Sequence, residues 1–180
     1  AALDINESVI YNQGTNANIT SNIDIAQGKT LIATNGITLN ATNGSVNNLG
    51  TLAGALTLEG SSNSVTNSGS ITTIINNASN SNLTNNSNIG SLAVYENLTY
   101  TGNGSDRITQ ALEVAKDKTL TIGSNGTLSF NSAKGSVNNL GTIAGNLSNV
   151  KDSIITNFTN NGIITGDLYN DGHIDTLTNT

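Results

Sequence analysis

The octapeptide GSVNNLGT occurs twice, at Gly44–Thr51 and at Gly135–Thr142. Its reading decides the fold. Val and Leu alternate with Asn and Gly, so a short strand runs into a corner. A match of this length at two separate places signals a duplicated unit rather than two related sites. Outward from the octamer, Tyr11–Leu31 aligns without gaps to Tyr100–Leu120, and Ile23-Asp24-Ile25-Ala26 matches Leu112-Glu113-Val114-Ala115. A two-residue insertion then carries the match through the octamer, and Val65-Thr66-Asn67-Ser68-Gly69 matches Phe158-Thr159-Asn160-Asn161-Gly162. The chain reads as one domain, 1–180, made of two units at about 1–91 and 92–180.

A shorter period lies inside each unit. The pattern apolar-x-Asn-x-Gly/Ser-x-apolar occurs at VNNLGTL from Val46, VTNSGSI from Val65, LTNNSNI from Leu83, VNNLGTI from Val137, FTNNGII from Phe158 and LYNDGHI from Leu168. IYNQGTN from Ile10 is a partial seventh. The first starts are spaced by 19 and 18 residues and the later ones by 21 and 10. Such periods mean stacked coils, and the short step reads as one coil carrying the motif on two sides. Stretches such as LTL (Leu56–Leu58) and LSF (Leu128–Phe130) alternate with period two and are too short for helices. The expected fold is all-β: a parallel β-helix of roughly nine coils of about 20 residues, right-handed by the crossover preference.

In that fold, Asn48, Gly50, Asn67, Gly69, Asn85, Asn139, Gly141, Asn160, Gly162, Asn170 and Gly172 are expected at corners. Asn and Gly tolerate left-handed backbone angles there. Stacked Asn amides about 4.8 Å apart would form ladders. Val46 and Val137 face inward, with Phe130 and Phe158 in a narrow core.

Composition agrees. Of 180 residues, 35% are hydrophobic and 10% charged, against about 45–50% and 25% in ordinary domains. There are 32 Asn and no Pro, Cys or Met. Low net charge per residue and evenly spread Ile, Leu and Val point to an ordered β-structure rather than a disordered tail. A net charge of −6 and six scattered basic residues argue against nucleic acid. No apolar run approaches the ~18 residues of a membrane helix. Without Met or a signal peptide, the chain is expected to be a piece of a longer precursor.

The V-x-N-x-G-x-I units, the Thr/Ser/Asn-rich alternation and the lack of Cys resemble the passenger regions of bacterial autotransporters (type V secretion) and related haemagglutinin-like surface proteins. The resemblance implies an extracellular, surface-exposed adhesin or autoaggregation factor. Its implied partners are a host or bacterial cell-surface glycan or protein, or another copy of itself. The family's Gly-Asp-Ser-Gly protease motif is absent, so no catalytic residue carries over.

Chemistry is sparse. A serine triad would depend on the single His173, and no G-x-S-x-G elbow occurs. Thr101–Arg107 lacks a phosphate-loop pattern and reads as a seam loop. No cofactor motif is found, and the chain is read as a non-enzyme. GDLYNDGHID gathers Asp167, Asp171, His173 and Asp175. Asp171, His173 and Asp175 are weak candidates for a divalent metal or glycan, against a plain reading as the polar outer face of the last coil. Tyr11 and Tyr100, at matching positions, are read as outward, with sugar stacking weighed against packing. DINES (Asp4–Ser8) fits an acidic-x-Asn-x-Ser glycosylation acceptor. Three functions follow: an adhesive surface module, a self-assembling extracellular filament, and a glycan-active enzyme as the weakest.

Overall fold

A computed structural model describes residues 1–12, 17–123 and 126–180. Among them there is no helix, and the strands wind into nine three-faced coils. The first coil contains β1 (Leu3–Ile5), β2 (Val9–Tyr11) and β3 (Ala17–Ile19). The second contains β4 (Asn22–Ile25), β5 (Thr30–Ala33) and β6 (Ile37–Thr42). From the third to the sixth coil one long strand bends across two faces. These coils are β7 (Ser45–Asn48) with β8 (Thr51–Ser61), β9 (Ser64–Asn67) with β10 (Ser70–Asn76), β11 (Ser81–Asn85) with β12 (Asn88–Val94), and β13 (Leu98–Gly102) with β14 (Arg107–Val114). The last three coils separate their faces again. They are β15 (Thr119–Ile122), β16 (Thr127–Phe130) and β17 (Gly135–Asn139); β18 (Thr142–Ala144), β19 (Asn146–Asn149) and β20 (Ile154–Asn160); and β21 (Ile163–Ile164), β22 (Leu168–Asn170) and β23 (His173–Asn179).

Every strand pairs in parallel with its counterpart one coil away. On the first face Leu3, Ile23, Val46, Val65, Leu83, Tyr100 and Ile122 stand in one column. The third face stacks Ile37, Leu56, Ile74, Leu92, Leu112, Val137, Phe158 and Leu177. Alternation sends one residue in two to the axis, so a few apolar side chains per coil fill the core. Phe130 and Phe158 are buried in it. This explains how a chain with so little apolar content folds.

The duplication has a twist that its residue spacing hides. Ile23–Ile25 lie on the first face, whereas their counterparts Leu112–Val114 lie on the third. Lys29-Thr30-Leu31 enter the second face, and Lys118-Thr119-Leu120 enter the first. Ile23 to Tyr100 is four coils up one face, and Leu112 is two faces further. One unit therefore occupies four and two-thirds coils, and the second is turned by one face. The octamer follows suit: the first copy turns from face one to face two, the second from face three to face one. Two of the three corners thus accept the same sequence. One ion pair persists across the rotation. Lys29 Nζ meets Glu7 at 2.8 Å, and Lys118 Nζ meets Glu96 at 2.8 Å.

Candidate functional site

Eight Asn residues at strand ends form three ladders, while the buried Asn76, at the end of β10, gives its amide to the Glu96 carbonyl instead. On the first face Asn48 Nδ2 donates to Asn67 Oδ1 at 2.8 Å, and Asn67 Nδ2 donates to Asn85 Oδ1 at 2.9 Å. Asn139, Asn160 and Asn179 form a second ladder on the third face, with both links at 2.7 Å. Asn149 donates to Asn170 at 2.8 Å on the second face. The second amide hydrogens reach backbone carbonyls: Asn48 to Ser70, Asn67 to Asn88 and Asn139 to Ile163, at 3.0–3.1 Å. A buried amide without partners costs free energy, and the ladders supply partners to most of the buried Asn side chains. The step of ten residues between the motifs at Phe158 and Leu168 is a move from the third face to the second, past β21.

The corner glycines serve a purpose other than the one expected. Neither Gly50, Gly69, Gly141, Gly162 nor Gly172 has a left-handed φ, and nor do the ladder Asn residues. These glycines leave room for backbone. A Cβ on Gly69 would overlap the Gly50 carbonyl oxygen; on Gly162, that of Gly141; on Gly172, that of Ser153. Stacked corners thus approach backbone to backbone, which only Gly permits. The Asn contributes through its side chain: Asn48 Oδ1 accepts from Gly50 N at 3.2 Å, and Asn139 Oδ1 from Gly141 N at 3.3 Å. Left-handed angles occur elsewhere, at Gly28 and at its counterpart Asp117.

Tyr100 is not outward. It is fully buried, and its hydroxyl ends the first ladder by accepting from Asn85 Nδ2 at 3.1 Å. That hydroxyl donates to Asp106 Oδ2 at 2.5 Å, and Asp106 Oδ1 accepts from Gly104 N at 2.9 Å. Burial, then the bond to Asp106, pushes the Tyr100 hydroxyl far above the usual tyrosine range. Tyr11 packs partly buried against the core. Period-two alternation from Leu98 would have turned Tyr100 inward in the sequence reading. Asp106 gave no such signal, because its role depends on the loop folding back. The partial motif from Ile10 falls largely on Gln13–Asn16, outside the described residues.

The C-terminal cluster is loose. His173 Nε2 lies 2.9 Å from Asp175 Oδ1, with both side chains exposed, and Ile174 turns inward between them. Asp171 and His173 line a shallow depression with Lys151 and Asp152. Asp167 instead accepts from the Tyr169 hydroxyl at 3.1 Å. Among the described residues no three His, Asp or Glu side chains come together as metal ligands. Glu59 accepts from Asn77, Glu96 pairs with Lys118, and Glu113 raises the Tyr95 hydroxyl after burial does.

The most uniform surface is the first face. Its strands from the third to the eighth coil read SVNN, SVTN, SNLTN, LTYTG, TLTI and TIA, without one charged residue. The outward positions carry Ser, Thr and Asn in columns, as in the pairings Ser45–Ser64–Asn82–Thr99–Thr121. No family model matches this chain, no curated protein matches it, and no solved structure matches it. The architecture itself is a parallel β-solenoid of about nine coils.

Proposed function

We propose that this solenoid is a non-enzymatic interaction module of the bacterial outer surface, acting in adhesion or autoaggregation. The observation that carries the reading is the uncharged first face, which extends over six coils, about 24 Å at the strand spacing. Docking a charged face requires desolvating ions, whereas hydroxyls and amides exchange water for a partner at small cost. Each Ser, Thr and Asn both donates and accepts, which suits sugar hydroxyls and polar protein surfaces. The ladders hold this face rigid, so little entropy is lost on binding. The experiment is surface display. Cells displaying the chain should adhere or aggregate, and Thr66→Lys with Thr84→Lys should abolish this while the fold persists. Unchanged adhesion on deleting the chain would sink the reading.

A further inference from the structure

The chain carries five Asn-Gly pairs, beginning at Asn35, Asn43, Asn103, Asn125 and Asn161. In such a pair the glycine nitrogen can attack the side-chain amide carbon, because no Cβ shields it. Asn125 lies outside the described residues. The fold treats the other pairs differently. Gly36 N donates to the Ala33 carbonyl at 3.0 Å, and the buried Gly44 N donates to Asn63 Oδ1 at 2.9 Å. Both acceptors are neutral amide oxygens. Asn161 stands exposed at a corner. At Asn103, in the loop between β13 and β14, reactive groups converge. Gly104 N donates to a carboxylate, Asp106 Oδ1, at 2.9 Å. Asn103 Oδ1 accepts from Ser105 N at 2.8 Å, which folds the side chain back along the Gly104 peptide. Asp106 is 1% exposed, and its other oxygen accepts from the Tyr100 hydroxyl at 2.5 Å. Arg107 Nη1 donates to the Gly104 and Asp106 carbonyls at 2.9 and 2.7 Å and so fixes the loop. Asn103 and Gly104 themselves are open to water.

We infer that this loop is a self-processing site, in which Asn103 cyclises onto Gly104 and loses its side-chain amide as ammonia. Asp106 Oδ1 is the general base for the Gly104 N–H. The N–H, and so this hydrogen bond, lies in the peptide plane. Attack on Asn103 Cγ comes from above that plane, so base and electrophile do not compete. The bond from Gly104 N to Asn103 Cγ forms as the proton passes to Asp106. Charge that grows on Asn103 Oδ1 meets the Ser105 N–H, an oxyanion donor already in place. The Cγ–Nδ2 bond then breaks, and the proton leaves with the ammonia. Water opens the succinimide ring at either carbonyl, leaving aspartate or isoaspartate. Each product adds a negative charge, and isoaspartate also adds a backbone carbon. The change falls directly after β13, at the edge of the uncharged first face. This chemistry is independent of anything that face binds.

The test is peptide mapping by mass spectrometry of the full chain, incubated folded and in urea. Unfolded, the Asn-Gly pairs share one environment and should react at similar rates. Folding should slow Asn35 and Asn43 and speed Asn103. Asp106→Asn keeps an oxygen for Gly104 N but supplies no base. It should slow reaction at Asn103 about a hundredfold and leave Asn161 unchanged, with circular dichroism reporting that the fold persists. The pH profile separates a base from a mere support for the loop. Between about pH 6 and 8, reaction at Asn161 should rise in proportion to hydroxide, and reaction at Asn103 much less steeply. These folded-against-urea rates and pH profiles come from the native chain, so they decide the matter even where Asp106→Asn does not fold. Slower reaction of Asn103 folded than in urea, a pH profile at Asn103 that matches Asn161, or an unchanged rate in folded Asp106→Asn would overturn the inference.

Discussion

Asn67→Asp changes one atom at the centre of the first ladder. Asn67 is fully buried, accepts from Asn48, and donates to Asn85 Oδ1 at 2.9 Å and to the Asn88 carbonyl at 3.1 Å. An ionised carboxylate keeps the accepted bond but turns both donated bonds into oxygen–oxygen repulsions. Burial and these two acceptors favour the protonated form, so the folded pKa of Asp at this position rises above its unfolded value near 3.9. Keeping it protonated at pH 7 costs about 4 kcal/mol. A protonated carboxyl restores only one donated bond, and losing the other costs about 1 kcal/mol. The total is about 5 kcal/mol at pH 7 and about 1–2 kcal/mol at pH 4. The sign follows from the raised folded pKa: the fold binds the proton more tightly, so stability is lost as pH rises above 4. At about 2–4 °C per kcal/mol for a chain of this size, the melting temperature falls about 10–20 °C at pH 7. At pH 4 it falls by a few degrees. Thermal melts by circular dichroism at both pH values measure this, with exposed Asn82→Asp as the control expected within about 0.5 kcal/mol. Equal destabilisation at pH 4 and pH 7, or no difference from Asn82→Asp, would refute the ladder as the source of stability.

Other tests bear on the corners, the seam and the cluster. Gly69→Ala must displace the Gly50 carbonyl and should cost several kcal/mol, beyond the ordinary range of single substitutions. Gly28→Ala, left-handed with open space around its Cβ, should cost only about 1 kcal/mol; urea melts of the two that coincide would contradict the close-packed corner. With the Tyr100 hydroxyl held above its unfolded value of about 10, stability should fall above pH 10 by up to about 1.4 kcal/mol per pH unit. Of the four tyrosines, Tyr100 should ionise only on unfolding; an absorbance titration showing all four ionising in the folded chain would be the contrary result. Ca²⁺ and Zn²⁺ should leave the melting temperature unchanged, and a concentration-dependent rise would make Asp171, His173 and Asp175 a binding site.

Much of this was legible in the residues. The apolar-x-Asn-x-Gly spacing gave the coil, and period-two alternation sent Val46 and Val137 inward. Register alone was enough to bring Asn48, Asn67 and Asn85 into line. Other features were not legible. Asn and Gly together suggest a left-handed turn, yet Gly69 is there because the Gly50 carbonyl passes where its Cβ would be. That is a contact between residues one coil apart, and no local propensity reports it. Tyr100 was misplaced because a polar tip in a polar chain suggests solvent. Its burial depends on Asn85 and Asp106 arriving to meet the hydroxyl.

By itself, the sequence determined the repeat, the strand-and-corner alphabet and the parallel stack, since these follow from periodicities of two and about nineteen that any local window displays. Tertiary structure alone decided which face each unit occupies. A unit of four and two-thirds coils brings the same GSVNNLGT to a different corner each time. Spacing along a chain counts residues, whereas a face is a fraction of a turn fixed only when the coils stack.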